Sequence, residues 1–238
     1  PGVERVVAAD PAAGFLRPSA ALPVVADPEL LPFGAASFDL AVSALALHWV
    51  ADLPGALIQL RRIIKPDGLL VAALFGGATL GELRTAFIEA ELAEEGGASP
   101  RVSPTASLAD AAALLQRAGF AMPVADADTI AVTYPDALAL MRDLRAMGET
   151  NALSARRHSP LRRGTLARAV AIYGERFGLP DGRIPATFEI LFLTGWAPDA
   201  SQPKPLRPGS ATHRLADALG TVEISAGDRA APPGKGGR

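Results

Sequence analysis

The sequence contains no cysteine, so disulfide bonds and thiolate metal sites are excluded. Its three histidines, at positions 48, 158 and 213, lie far apart, and no spacing among them indicates a zinc site. An excess of charge of one sign is also lacking. The formal net charge of −2 gives no reason to expect nucleic acid or an acidic membrane as a partner. No apolar run resembles an integral membrane segment. We therefore expect an ordinary soluble domain without a metal ion.

Lysine is scarce as well, since three of the 23 basic residues are lysines. Together with abundant alanine, this usage is typical of a bacterium with a GC-rich genome, and no signal peptide is visible. We therefore expect a cytoplasmic bacterial protein. At 238 residues, the chain is long enough to bury one sizeable core.

Short apolar runs alternate with segments whose apolar residues recur at helical spacing. This pattern is typical of a doubly wound α/β sheet. The runs predict strands at residues 3–10, 23–27, 38–42, 69–75, 129–133 and 187–196. The helical spacing predicts helices that begin near residues 52, 79, 107, 138 and 166. Because ligands of such sheets bind beyond the carboxyl ends of the strands, residues 43–49 should line a crevice.

Three local signals support these elements. Asp52 is a suitable cap for a helix that carries Pro54 in its first turn. Thr79 and Glu82 have the spacing of a capping box. The KPDG sequence at 65–68 predicts a turn between a helix and the next strand.

The composition divides the chain into two parts. Residues 1–197 read as one α/β domain, with a helical insertion at about 135–178 between its last two strands. Residues 198–238 are rich in proline, glycine, serine and arginine, and we expect this tail to be disordered.

Several sequence motifs resemble those of one family. They are LPF followed by SFDLAVSALALHWVADLPGAL, then IIKPDG, LFGGATLGELR, EGGASPRVSPTAS, LLQRAGF, DLRAMGETN, PATFEI and, in the tail, SQPKPLRPGSAT. The chain resembles class I S-adenosylmethionine-dependent methyltransferases of Rossmann-like fold, and among them the methyltransferase-like complex I assembly factors of mitochondria and their alphaproteobacterial relatives. LFGGATLGELR and MGETN are the most specific motifs. Malonyl-acyl-carrier-protein methyltransferases are similar more distantly.

The resemblance makes one absence informative. In this fold, the first strand and its glycine-rich turn place bare backbone amides against the cofactor, and an acid follows at the tip of the second strand. Asp10 fits the second-strand acid, but no strand with a Gly-x-Gly turn precedes it. We expect that the first strand and glycine loop are missing from an N-terminally truncated chain. The alternative is that Asp10 is a plain strand-end residue.

The resemblance implies a set of residues that bind S-adenosylmethionine. Asp10 corresponds to the acid that binds the ribose, although it could be a solvated strand end. Asp27 corresponds to the acid that accepts a hydrogen bond from the adenine amino group, although an aspartate before proline is often a turn residue. The remaining positions would border the adenine or the methionine portion: Pro28, Leu30, Ser43, Ala44 and Leu45.

Three residues are candidates for the acceptor side of the site. His48 is a candidate base or substrate contact, because imidazole titrates near neutral pH, but it could instead orient its loop while Trp49 packs on a helix. Arg84 could hold a carboxylate or be a solvated helix residue. Glu149, with Asn151, lies in a loop that could cover the pocket or face solvent.

Two functions fit the sequence. The first is an enzyme that uses S-adenosylmethionine and acts on a protein client, a complex I subunit, or on a small acceptor. The mitochondrial relatives are associated with hydroxylation of an arginine, but no spacing here indicates the two-His-one-carboxylate site of an oxygenase. The second is a non-catalytic assembly module that binds a client on the same fold.

Overall fold

The computed structural model describes residues 2–16, 21–102, 105–151, 156, 159–203 and 215–222. The chain divides into two compact units, Pro1–Ala200 and Ser201–Arg238. The first unit contains the following strands and helices: β1 (Val7–Asp10), β2 (Leu22–Val25), β3 (Phe38–Ala44), α1 (Leu53–Ile63), β4 (Ile64–Phe75), α2 (Gly81–Glu95), α3 (Leu108–Arg117), β5 (Ala121–Tyr134), α4 (Ala137–Met147), α5 (Arg163–Phe177) and β6 (Ile184–Trp196). A 3₁₀ turn at Leu47–Trp49 follows β3.

The strands form two sheets rather than one. β1 pairs with β2 in parallel, and a second sheet has the order β3-β4-β6-β5. β3 and β4 are parallel, whereas β6 is antiparallel to both of its neighbours. The predicted α/β class is confirmed, and the sheet is divided between β1 and β3. These are the two strands that the first strand of the class I fold would separate.

The second unit contains a short helix, α6 (Leu215–Leu219), in its described part. Much of the expected disordered tail, including the LRPGS motif at 206–210, lies outside the described residues. The prediction of a disordered tail therefore stays a prediction. Within the described ranges, no helix has both the length and the apolar character needed to cross a membrane.

The KPDG segment is not a turn between elements, so this prediction was wrong. β4 begins at Ile64 directly after α1, and the segment lies within the strand as a bulge, because Phe38 pairs with Ile64 and Leu40 pairs with Leu69. Gly68 allows the strands to approach here. A Cβ on Gly68 would lie 2.6 Å from Cγ2 of Ile64 and 2.8 Å from the Asp39 carbonyl oxygen.

Of the two predicted helix caps, the one at α1 forms and the one at α2 does not. The Asp52 carboxylate accepts a hydrogen bond from the Gly55 amide at 2.9 Å, as expected. The capping box of α2 does not form, because both side chains bond to β6 instead. The Thr79 hydroxyl donates to the Glu189 carbonyl at 3.0 Å, and the Glu82 carboxylate accepts from Thr187. These bonds attach the N-terminal end of α2 to β6.

Two apolar clusters hold the first unit together. The first packs α1 and α3 on one face of the four-stranded sheet, with Leu57, Leu70, Leu115 and Leu193 fully buried. The second packs α2, α4 and α5 around the first half of β6, with Phe87, Leu140, Tyr173 and Phe188 buried. The carboxyl end of β4 reaches the second cluster through Phe75, so the two clusters meet beside the 3₁₀ turn.

Candidate functional site

A cavity of about 280 Å³ lies between the 3₁₀ turn after β3, the end of β4, the start of α2 and the end of α4. Its walls are mainly apolar and include Trp49, Phe75, Leu83, Met141 and Phe188. Its polar lining includes His48, Arg145, Glu149 and Asn151. A concave apolar site with a few convergent polar groups is the usual form of a small-molecule or side-chain binding site.

His48 and Glu149 meet in this cavity. Nε2 of His48 lies 3.1 Å from Oε1 of Glu149, and the two side chains are 6% and 23% exposed. Because a carboxylate only accepts, Nε2 carries a proton in this pair. Nδ1 of His48 is buried and has no hydrogen-bond partner in the described part of the chain. The pair can therefore act as a base with an orienting carboxylate, the arrangement expected of an acid–base dyad.

Aromatic rings fix the position of the imidazole. The His48 ring centroid lies 4.7 Å from that of Phe75 and 5.5 Å from that of Trp49. Leu47, the neighbour of His48, is buried in the first apolar cluster and anchors the turn. The alternative structural role that the sequence left open, in which Trp49 packs and His48 orients the loop, uses the same contacts.

The end of α4 determines where Glu149 lies. Gly148 has φ of 88°, a conformation that favours glycine, and its amide donates to the Arg145 carbonyl. The Glu149 amide donates to the Leu144 carbonyl at 2.8 Å. The chain therefore turns back sharply after α4 and directs the Glu149 side chain to His48. Asn151 follows in the same loop and donates to the Pro100 carbonyl at 2.7 Å.

Arg84 is not brought to the cavity. Its guanidinium donates to the carbonyls of Gly77 and Thr79, each at 3.2 Å, and so braces the turn that precedes α2. It lines a neighbouring groove of about 360 Å³, which shares Arg101, Val102 and Thr105 with the cavity. Its predicted role in holding a substrate carboxylate stays a prediction, and its bonds describe a structural contact.

The sequence analysis missed a buried ion pair beside the cavity. Glu91 is fully buried and pairs with Arg101, which lines the cavity. Burial raises the pKa of Glu91, but hydrogen bonds from the Ser99 amide, from Arg101 and from the Ser99 hydroxyl outweigh it and hold the pKa below its usual value. The signal was the position of Glu91 on the inner face of α2, one turn after Phe87, where a carboxylate requires a partner.

A cation at the mouth of the cavity was also missed. Arg145 lies in the last turn of α4, is exposed and lines the cavity. Arg145 belongs to the DLRAMGETN motif, but a basic residue near a helix C-terminus is also explained by its interaction with the helix dipole, so the sequence alone carries no specific signal for it.

The predicted cofactor residues occupy the ends of β1, β2 and β3. Asp10 ends β1 and accepts from the Ala12 amide at 2.7 Å, and Asp27 follows β2 and accepts from the Glu29 amide at 2.9 Å. Each acid uses one carboxylate oxygen in its turn, and within the described residues its second oxygen has no hydrogen-bond partner. The turn role and the cofactor role are therefore compatible at both acids.

The end of β3 is built from small side chains. Ser43 and Ala44 close the strand, and Leu45 follows with φ of 50°, an uncommon conformation for leucine. The Leu45 amide donates a hydrogen bond to the Ala73 carbonyl at 2.8 Å. Pro28 and Leu30 lie in the turn after β2, where the Leu30 side chain is 75% exposed. Two acids, an exposed apolar side chain and a small strand end fit the ribose, adenine and methionine portions of S-adenosylmethionine.

No metal site accompanies these residues in the described ranges, where no three histidine, aspartate or glutamate side chains come together.

Comparison with known proteins agrees with this fold. Residues 2–72 match the family model described as a methyltransferase domain. A chain of the YcgJ protein from Bacillus subtilis superposes with a TM-score of 0.54 at 14% identity, covering 82% of this chain and 83% of that one. At that identity the likeness concerns the fold alone.

Curated relatives are much more similar in sequence. The arginine-hydroxylase NDUFAF5 of Danio rerio is 48% identical over 194 residues, 82% of this chain and 60% of the relative. That of Homo sapiens is 45% identical over 212 residues, 89% of this chain and 59% of the relative. A malonyl-[acyl-carrier protein] O-methyltransferase of Xylella fastidiosa is 40% identical over 175 residues, 74% of this chain and 57% of the relative.

The chain spans about 60% of the length of the two NDUFAF5 relatives. The motifs LFGGATLGELR and DLRAMGETN, which carried the resemblance in sequence, form the start of α2 and the end of α4 at the cavity. The chain has the fold of class I methyltransferases, its residues 2–72 match a methyltransferase domain, and its sequence is similar to those of the NDUFAF5 arginine-hydroxylases.

Proposed function

We propose that the ends of β1, β2 and β3 form part of an S-adenosylmethionine site, and that an arginine side chain of a complex I subunit enters the neighbouring cavity. The observation that supports the proposal is the His48–Glu149 pair inside an aromatic cavity. A guanidinium is a planar cation that binds carboxylates and aromatic faces. Glu149 offers the carboxylate, and Trp49, Phe75 and Phe188 offer the rings.

Each residue has a separate part in this proposal. Asp10 would hold the ribose hydroxyls, Asp27 the adenine amino group, and Ser43 and Ala44 would allow close approach of the methionine portion. When bound, S-adenosylmethionine supplies an electrophilic methyl group. His48, with its Nε2 proton directed to Glu149, would hold or accept a proton from the acceptor nitrogen. Water is limited at that position because the His48 side chain is 6% exposed.

Mass spectrometry of the client subunit tests the part of the proposal that concerns the acceptor arginine. In a strain that lacks the gene, the complete gene product is supplied as wild type, His48→Ala, Glu149→Gln or Glu175→Gln. Glu175 is an exposed residue of α5, so its variant is a matched control for the loss of one carboxylate. We expect the modified client arginine to disappear in the first two variants and to persist in the control. Persistence in all variants would remove the pair from the reaction.

Calorimetric titration tests the part of the proposal that concerns S-adenosylmethionine binding. Asp10→Ala should weaken S-adenosylmethionine binding by about 1–3 kcal/mol through lost hydrogen bonds to the ribose. Asp181→Ala is the control, because Asp181 also accepts an amide hydrogen bond within a turn, from Arg183 at 3.0 Å. Equal affinities in both variants would show that Asp10 is a turn residue only.

Arg145 favours a second candidate function. A carboxylate-bearing acceptor, such as a malonyl group, would bind the exposed Arg145 at the mouth of the cavity rather than Glu149. The relatives named malonyl-[acyl-carrier protein] O-methyltransferase are consistent with this acceptor. Methyl transfer to a malonyl thioester that is lost in Arg145→Met and retained in Glu149→Gln would favour it over the arginine client.

The third hypothesis is that the protein is a non-catalytic assembly module. It predicts that the client co-purifies with the protein, that the client carries no modification in wild type, and that Asp10→Ala supports complex I assembly. Under each of these hypotheses, we propose that the protein is located in the bacterial cytoplasm.

A further inference from the structure

Glu29 connects two loops that the sequence analysis treated separately. One oxygen of its carboxylate accepts hydrogen bonds from the backbone amides of Ala51 and Asp52, the latter at 2.9 Å. The contact joins the loop after β2 to the segment between the 3₁₀ turn and α1, 22 and 23 positions away in sequence. It brings the loop after β2 against the entrance to α1, although β2 and β3 belong to different sheets.

The loop on the cofactor side of this contact is a tight turn. The Glu29 amide donates to the Asp27 side chain at 2.9 Å, and the Leu30 amide donates to the Asp27 carbonyl at 3.0 Å. Glu29 is half-buried. Its backbone is therefore fixed by the same carboxyl group that would accept from the adenine.

The segment on the acceptor side carries His48 and Trp49. It is held at one end by buried Leu47 and at the other by Asp52, which caps α1. Between these points, the Glu29 carboxylate occupies both amides at the entrance to α1, where a negative charge is also favoured by the helix dipole. Without this carboxylate, the segment from His48 to Asp52 would lose its hydrogen bonds to the loop after β2.

We propose that Glu29 is a positioning residue that couples the Asp27 turn to His48 and Trp49. It supplies no atom to the reaction. A ligand that engages Asp27 moves or stiffens the turn, and the Glu29 carboxylate transmits this to the acceptor cavity. The ligand-dependent part of the inference rests on the proposed function, whereas the mechanical link between the loops does not.

Trp49 provides the readout. The chain has two tryptophans, so Trp196→Phe leaves Trp49 as the single tryptophan, which can be excited selectively over the two tyrosines. A double-mutant cycle then compares acrylamide quenching of Trp49 in this background, with Asp27→Ala, with Glu29→Ala, and with both. We expect either single variant to increase quenching at least twofold, and the second substitution to add almost nothing. Additive effects would overturn the coupling.

Rescue and a control separate positioning from general destabilisation. Glu29→Gln keeps an acceptor oxygen at the same place, so it should restore most of the wild-type quenching. Glu175→Ala should change neither quenching nor coupling. If Glu29→Gln behaves like Glu29→Ala while all variants keep the wild-type Tm, the hydrogen-bond link is refuted.

Titration with S-adenosylhomocysteine tests the ligand-dependent part. Wild-type protein should show a Trp49 emission shift on binding, and Glu29→Ala should bind within about threefold of wild type but lose the shift. An unchanged shift in Glu29→Ala overturns the proposal. Absence of binding to wild type would instead refute the proposed cofactor function, and the ligand-free cycle would still decide the role of Glu29.

Discussion

The carboxylate of Glu149 lies 3.1 Å from the imidazole of His48, although 101 positions separate them in the sequence. One residue follows the third strand and the other follows the fourth helix of the first unit. Their contact brings the generic methyltransferase motif and the motif specific to the assembly-factor relatives into one cavity.

Glu149→Ala should destabilise the protein as well as alter its site. The His48 side chain is 6% exposed and would keep a buried Nε2–H without its acceptor. We expect the free energy of unfolding to fall by about 1–3 kcal/mol, measured by urea denaturation. Glu149→Gln, whose amide oxygen can accept, should lose much less. Equal losses in the two variants would show that the hydrogen bond is not the stabilising contact.

Arg101→Met should be among the most destabilising substitutions near the cavity. It would leave the Glu91 carboxylate buried without its cation, which typically costs about 3–5 kcal/mol. The double variant Glu91→Leu with Arg101→Met removes both charges, so it should recover part of that loss. Urea denaturation of the single and double variants measures the effect, and a double variant less stable than Arg101→Met would contradict the account.

The same pair predicts a pH dependence. The pKa of Glu91 in the folded protein lies below its ordinary value of 4.5, so the unfolded chain takes up a proton first as the pH falls. The contribution of Glu91 is therefore complete above pH 4.5 and is lost as the pH falls through the folded pKa. Stability curves of wild type and Glu91→Gln between pH 7 and pH 3 should converge towards the acid end. Curves that stay parallel would show that protonation of Glu91 does not affect the stability of the fold.

Gly68→Ala tests the bulge in β4. The added methyl group would lie 2.6 Å from Ile64 and 2.8 Å from the Asp39 carbonyl. Overpacking of this kind costs about 1–3 kcal/mol. Gly81→Ala is the control, because a Cβ there meets nothing within 4 Å at the first position of α2. Thermal denaturation should show a lower Tm for the first variant only.

The two edges of the four-stranded sheet differ in how they resist aggregation. β5 carries Pro123, Asp126 and Asp128, which discourage pairing with another strand. β3 exposes Leu40 at 45% and Val42 at 66%. We expect Val42→Lys to slow aggregation of this chain, measured by light scattering, whereas Val124→Lys on the already protected β5 should have little effect. A similar gain from both would indicate that net charge alone is responsible.

Local patterns in the sequence are sufficient to predict the elements and the class of fold. Because apolar runs and helical spacing are local properties, each predicted strand and helix overlaps one of β1–β6 and α1–α5, and Asp52 caps α1 as its chemistry requires. The bounds are less accurate, since β4 and β5 begin earlier than predicted, at Ile64 and Ala121. The motifs also identified His48 and Glu149, because the resemblance covered both of their segments.

Packing between distant elements fixes which side chains meet. Thr79 and Glu82 satisfy a local capping rule, but their side chains bond to β6 instead. KPDG satisfies a turn rule, but it forms a bulge within β4, between two residues that pair with β3. The contacts of Glu91 with Arg101, Glu29 with α1 and Glu149 with His48 depend on packing between elements. Local rules describe neighbours in sequence, whereas these bonds form because burial leaves a polar group only the partners that packing brings within reach.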